Sequence, residues 1–144
     1  MEEIDSYIPI LGRENLLIHD NVILSYTVDL QNDQIVIHTR DESSLKEVDI
    51  VLKEVSCHHF EHQLKGSVIL AMTVSNISSF IAGNIEILQN GKNHSWPTVY
   101  ESLDELEQKM TESGYKYFNL YSSYGMNGWI VAKDLEVVKK GEEE

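Results

Sequence analysis

The chain has 144 residues, 42% of them hydrophobic, which predicts a single domain over 1–144 with a hydrophobic core. Its longest apolar run (67–74) is far shorter than the roughly 20 residues of a membrane helix, and its acidic N-terminus does not resemble a secretion signal. The 24 Asp and Glu against 11 Lys and Arg give a charge of −13, which opposes binding to nucleic acid and to anionic membranes. A single cysteine excludes an internal disulfide. We therefore expect a cytoplasmic protein, whose acidity either attracts a basic partner or serves solubility.

The first half of the chain predicts antiparallel strands. Residues 21–30 and 34–40 alternate apolar and polar side chains around a polar break at 31–33, a pattern typical of a β-hairpin. Residues 48–55 predict a third strand, and residues 66–74 predict a fourth that is apolar enough to be buried on both faces. The short links between these strands favour a four-strand meander.

Residues 75–91 leave helix and strand open. A helix would carry Phe80 and Leu88 at near-helical spacing, although a glycine lies between them. A strand would instead contain Ile85 and end at the turn Asn90-Gly91.

Residues 102–114 predict a helix. Ser102 is a good N-cap and Glu105 stands three residues later, as in a capping box, while Gly114 suits the C-terminal stop. An apolar stripe follows helical spacing: Leu103, Leu106 and Met110.

The C-terminal part predicts a hairpin of strands at 115–123 and 129–138. The turn between them contains Gly125 and Gly128, for which we expect positive φ angles. The predicted fold is therefore α+β, with an antiparallel sheet made of the N-terminal four-strand meander plus this C-terminal hairpin, and one or two packed helices. Residues 139–144 predict a frayed acidic tail.

The segment SCHHFEHQ (56–63) contains side chains that bind transition metals. If it is a strand, Cys57, His59 and Glu61 face one way, which gives fewer ligands than the four of a structural zinc site. No glycine-rich elbow or helix N-terminus adjoins Cys57 to support nucleophilic catalysis. We therefore predict a strand end that turns into the next strand, with no metal site.

The register of this segment stays open at the sequence level. The apolar alternation of 48–52 changes phase before Val55, which indicates a bulge at Lys53-Glu54. If Val55 faces inward, Cys57 and His59 line the interior. If Phe60 faces inward, His58 and His62 line it instead.

Known catalytic motifs are absent from the sequence. It has no phosphate-binding loop, no Rossmann glycine set and no Gly-x-Ser-x-Gly elbow. The His19-Asp20 pair precedes a strand and favours a turn. We therefore predict that the protein is not an enzyme and needs no cofactor.

Two surfaces are candidates for binding a protein partner. The first is the acidic face of the helix at 102–114 and its approach, formed by Glu101, Asp104, Glu105, Glu107 and Glu112. The second is the aromatic turn, formed by Tyr121, Tyr124 and Trp129. The alternatives are a solvated helix face and aromatic side chains that cover the end of the sheet.

Two segments, LLIHDNVILSYTVDLQNDQIVIHT and SSYGMNGWIVAKDLEVV, resemble small immunity proteins of bacterial polymorphic toxin systems. The resemblance covers about half of the chain and its motifs are structural, so it transfers no functional residues. It implies a non-enzymatic cytoplasmic inhibitor that binds and neutralises a cognate toxin domain. Many such toxins are nucleases with basic grooves, which an acidic protein would suit. The alternative is a small acidic regulatory or scaffold module that binds a host protein.

Overall fold

A computed structural model describes residues 8–9 and 12–141, and within them it shows one antiparallel sheet and four helices. The strands are β1 (Ile8–Pro9), β2 (Val22–Asp29), β3 (Gln34–Arg40), β4 (Glu47–Lys53), β5 (Cys57–Glu61), β6 (Val68–Ser75), β7 (Lys116–Tyr124), β8 (Asn127–Ala132) and β9 (Asp134–Lys139). The helices are α1 (Gly12–Ile18), α2 (Ile77–Gly83), α3 (Ile85–Lys92) and α4 (Leu103–Glu112). The predicted α+β class is confirmed. No helix in the described ranges is both long and apolar enough to cross a membrane.

The sheet curls into a barrel. Its hydrogen-bonded order is β5-β8-β7-β6-β2-β3-β4-β9, with β1 paired to β6. The chain runs from β4 into β5 through residues 54–56, and from β8 into β9 through Lys133 alone. These two bent strands pair with each other along their whole length, so the ends of the order are joined. The barrel is least tightly closed between β2 and β6, where the ladder contains only Val22 and Val68.

The strand layout differs from the predicted meander plus hairpin. Strands β2, β3 and β4 are consecutive neighbours as expected, but β6, the predicted fourth strand, pairs with β7 and β2. The second neighbour of β4 is β9. Strands β7 and β8 form the predicted hairpin, but the predicted second strand is divided: β8 ends at Ala132, and the chain continues after Lys133 as β9, which pairs with β4. The expectation that short links place consecutive strands side by side is wrong at this point. Strand β5 and the loop after it carry the chain across the barrel before β6 begins.

One core fills the barrel interior. Its buried side chains come from α1, β2, β3, β4, β6, β7 and β8, and partly buried side chains of β5 and β9 pack against them. The largest fully buried ones include Ile18, Ile35, Ile37, Ile50, Leu52, Ile69, Met72 and Leu120. Two polar side chains share the barrel's buried space, because Asn21 Nδ2 donates to Thr39 Oγ1 (3.0 Å) and Thr39 Oγ1 donates to the Val48 carbonyl (2.6 Å). Asn21 and Thr39 therefore both have hydrogen-bond partners, which lowers the cost of removing these two side chains from water.

A second core lies between the helices and the outer face of β5, β7 and β8. It contains Phe80, Leu88, Leu106, Tyr117 and Trp129 among its buried members. The helical alternative for 75–91 is therefore correct, but the segment forms two helices that meet at Asn84. The number of helices exceeds the one or two expected, since 75–91 forms two helices and α1 forms at Gly12–Ile18, where no helix was predicted.

Helix α4 begins and ends at the predicted signals. The Ser102 side chain accepts a hydrogen bond from the Glu105 amide (3.2 Å), and Gly114 adopts a positive φ of 90°. Leu106 and Met110 are buried against the sheet. Strand β9 ends at Lys139, and residues 142–144 of the predicted tail lie outside the described residues.

Candidate functional site

The Cys-His segment forms strand β5 and not a strand end. The β4–β9 ladder ends at Lys53 opposite Asp134, and the β5–β8 ladder begins at Cys57 opposite Val131. Three residues on one strand therefore oppose two on the other, which is a β-bulge, and Glu54 within it has a φ of 53°. A bulge is present as predicted, but it lies at 54–56 and not at Lys53-Glu54, because Lys53 is still paired with Asp134. It places Val55 and Phe60 against the barrel core while Cys57 joins the helix-covered core.

Cys57, His59 and Glu61 share the outer face of β5, yet they face different surroundings. Cys57 is only 4% exposed, and burial raises the pKa of its thiol to about 12, partly offset by a hydrogen bond with Ser56. His59 stacks on Trp129, with ring centroids 6.0 Å apart, and its Nε2 lies 3.6 Å from Glu61 Oε1. Among the described residues, no three His, Cys, Asp or Glu side chains are grouped closely enough to hold a metal ion. Cys57 is thus a protonated core residue, since a reactive thiol needs a lowered pKa.

The carboxylates of α4 form an exposed acidic face. Asp104, Glu105 and Glu112 are exposed, and so is Glu101 just before the helix. The only lysine of the helix, Lys109, donates to the backbone carbonyl of Val99 (2.7 Å). In the part of the chain that the structure describes, no lysine or arginine forms a salt bridge with these carboxylates. Their negative charge is therefore directed at solvent and is not neutralised locally.

Two of the predicted acidic residues, Glu105 and Glu107, are not simply exposed side chains available to a partner. Glu107 is half-buried, because its position on the helix borders the apolar stripe. The Glu105 carboxylate accepts a hydrogen bond from the Glu101 backbone amide, so it also stabilises the start of α4. Substitutions at Glu105 would consequently mix effects on folding with effects on binding.

The predicted aromatic surface is only partly exposed. Tyr121 and Tyr124 on β7 are 42% and 55% exposed, whereas Trp129 is 7% exposed and packs on Phe80 with ring centroids 5.1 Å apart. Trp129 therefore belongs to the core and is not available as a surface anchor. It faces the helices because Asn119 and Trp129 pair on the side of the β7–β8 ladder that the helices cover.

The two glycines of the aromatic turn have different roles. Gly125 has a φ of 88°, as predicted, and a side chain there would collide with Ser67. Gly128 is not in the left-handed region; a side chain there would collide with the His59 backbone carbonyl on the neighbouring strand. The prediction of a positive φ at Gly128 is wrong, because the close approach of β5 to β8 requires the glycine instead.

Sequence reasoning missed a hydrogen-bonded row on the outer face of the barrel. His38 Nε2 lies 3.3 Å from Thr27 Oγ1, and His38 Nδ1 lies 3.1 Å from Asp49 Oδ1. These residues come from three adjacent strands, so no local spacing could reveal the row. It has the connectivity of a nucleophilic triad, but β3 is paired on both sides, so its amides are not free to stabilise an oxyanion. The row is accordingly a polar cross-link between strands.

A groove beside β2 was also missed. It lies between β2 and residues 63–67 and includes two exposed leucines, Leu24 and Leu64. Exposed leucines within a strand and a loop are individually ordinary, and only their closeness in the structure marks a site.

Comparisons with known proteins do not assign this chain to a family. No protein-family model matches this chain, and no curated protein matches it.

Proposed function

We propose that this chain is a non-enzymatic immunity protein that binds and neutralises a cognate toxin domain with a basic surface, such as a nuclease, in the cytoplasm. The observation that carries the proposal is the acidic face of Glu101, Asp104, Glu105 and Glu112, whose carboxylates have no basic partner among the described residues. The likeness of two segments to immunity proteins supports the same function.

Charge gives this surface a defined kind of partner. A formal charge of −13 produces a long-range field that repels nucleic acid and accelerates association with a basic protein. At 0.15 M salt the screening length is about 8 Å, so grouped carboxylates act together while more distant charges contribute less. Tyr121 and Tyr124 provide a second exposed surface whose amphipathic rings suit a protein interface.

The proposal is tested with the product of the neighbouring gene, which the proposal expects to be a toxin with a basic surface. Reversing Asp104 and Glu112 to Lys should lower the association rate constant about tenfold and flatten its dependence on ionic strength. Stopped-flow measurements at several salt concentrations report both quantities. We choose this pair because Glu105 caps the helix and Glu107 is half-buried.

The matched control reverses Glu47 and Asp134, which are exposed on β4 and β9 and change the net charge by the same amount. If the control slows association as much as the α4 pair, the partner responds to total charge and the α4 face is not the docking surface. If no complex forms and co-expression does not protect cells from the neighbouring gene product, the immunity function is wrong. Capture of a basic host protein instead would favour a regulatory or scaffold module.

A further inference from the structure

The groove beside β2 has a volume of about 650 Å³ and is mostly apolar. Its lining includes the apolar or aromatic side chains of Leu24, Tyr26, Leu64 and Met126 and the charged side chains of Arg40, Glu42 and Lys65. This volume lies within the range of about 300–1,000 Å³ that is typical of small-molecule sites, which are apolar with a few placed polar groups.

The far wall of the groove is held in place by hydrogen bonds. Ser67 is buried; its Oγ donates to the Leu64 carbonyl (2.7 Å) and accepts from the Met126 amide (2.9 Å). At one end, Gln63 Nε2 donates to Tyr26 Oη (3.1 Å). These contacts tie residues 63–67 to both β2 and the β7–β8 turn, so the groove is formed before any ligand arrives.

The groove is open because β2 separates from β6 after a single pair of residues. Val22 is the only β2 residue in the ladder with β6, and the Ile23 amide donates to the Ser67 carbonyl (2.8 Å). A bulge between Ile23 and Ser25 then turns the strand, which leaves Leu24 partly exposed at the groove.

The charges at the groove are positive on balance, unlike the rest of the protein. Arg40 Nε donates to Glu42 Oε2 (2.9 Å), and the remaining guanidinium donors have no described side-chain partner. Lys65 forms no salt bridge with any described residue. An apolar groove with two cations and one carboxylate at its edge complements a ligand that has an apolar body and a negative head.

We propose that this groove binds a small amphiphilic carboxylate. The apolar chain lies on Leu24, Leu64 and Met126, and the carboxylate accepts hydrogen bonds from the Lys65 ammonium and the terminal nitrogens of Arg40. Charge-assisted hydrogen bonds of this kind are stronger than neutral ones and select the ionised ligand over an uncharged analogue. This site is separate from the acidic face of α4, and the inference does not depend on the toxin-binding proposal.

The test is isothermal titration of the full-length protein with decanoate and with decanol. We expect saturable binding of decanoate at one site per chain, and affinity for decanol that is lower by about tenfold or more. Lys65→Glu should weaken decanoate binding about tenfold or more, and Leu64→Asp should weaken it similarly by placing a charge on the apolar wall. Lys46→Glu, an exposed lysine outside the groove, is the control and should change little.

Chemical shift changes in labelled protein locate the ligand independently of affinity. Perturbations centred on Leu64, Lys65 and Met126 support the site. Absence of saturable decanoate binding overturns the proposal, as does binding that is unaffected by both groove variants. Equal affinity for decanol and decanoate overturns the role of the cations. Circular dichroism establishes that each variant is folded, so that a loss of binding is not caused by unfolding.

Discussion

The two halves of the barrel bear very different outer faces. Much of the outer face of β5, β7 and β8 is covered by α2, α3 and α4, and the covered part is mostly apolar, with Trp129 and Tyr117 packed on Phe80. On β2, β3, β4 and β9 the outer face is uncovered by any described helix and carries polar rows such as Thr27–His38–Asp49. The same barrel interior is therefore supported from outside by packing in one half and by exposed polar contacts in the other. The difference predicts where mutations are costly.

The largest effect is expected from Phe80→Ala in the covered half. Phe80 is fully buried and contacts two aromatic rings, so the variant leaves a cavity and should lose about 3–5 kcal/mol of unfolding free energy. Val36→Ala on the half-buried outer face of β3 should lose only about 1 kcal/mol. Urea unfolding measures both. Equal losses would remove the contrast between the halves.

A smaller, pH-dependent effect is expected at Cys57. Its folded pKa of about 12 lies above the ordinary value of 9.0, so folding favours the protonated thiol. This stabilisation is complete below pH 9 and is lost as the pH rises toward 12, because the unfolded thiol ionises first. Relative to Cys57→Ala, the wild type should lose at most about 1.4 kcal/mol per pH unit above pH 9. Chemical denaturation at pH 8, 9.5 and 10.5 measures the difference; a constant difference would show that the thiol is not closed off by the helices.

The smallest effect is expected from His38→Gln in the open half. The variant weakens contacts with Thr27 and Asp49 at a partly exposed site, and should cost about 0.5–1 kcal/mol at pH 7. Lys53→Gln, which breaks the exposed pair with Glu136 on the same face, is the control and should cost no more. A loss from His38→Gln as large as that from Phe80→Ala would mean that the polar row is essential to the barrel.

Local signals in the sequence predicted local structure well. The β2–β3 hairpin, the capped helix α4 and the β7–β8 hairpin are all present, because alternation, caps and turn residues act within a few positions. The bulge after Lys53 was predicted for the same reason, since a change of phase is visible in the alternation. The acidic face of α4 followed from helical periodicity, apart from half-buried Glu107.

Contacts between distant segments were not predictable in this way. Trp129 was expected near the surface because its neighbours form a glycine-rich turn, but α2 covers it with Phe80. The pairing of β9 with β4 and the groove beside β2 join residues far apart in the chain, and the Thr27–His38–Asp49 row depends on the register of three strands. A pattern of apolar residues shows which face of a strand is buried but not which element covers it.

The sequence by itself determined the α+β class, the strongly acidic charge and the boundaries of the capped helix α4, because propensity, caps and composition are properties of short segments or of the whole chain. Only the tertiary structure decided that β4–β5 and β8–β9 bend together to close a barrel, and that Cys57 lies beneath helices while His59 and Glu61 reach solvent. The reason is that strand order and helix coverage depend on the total apolar area that can be buried at once. That quantity belongs to the assembled fold and not to any one segment.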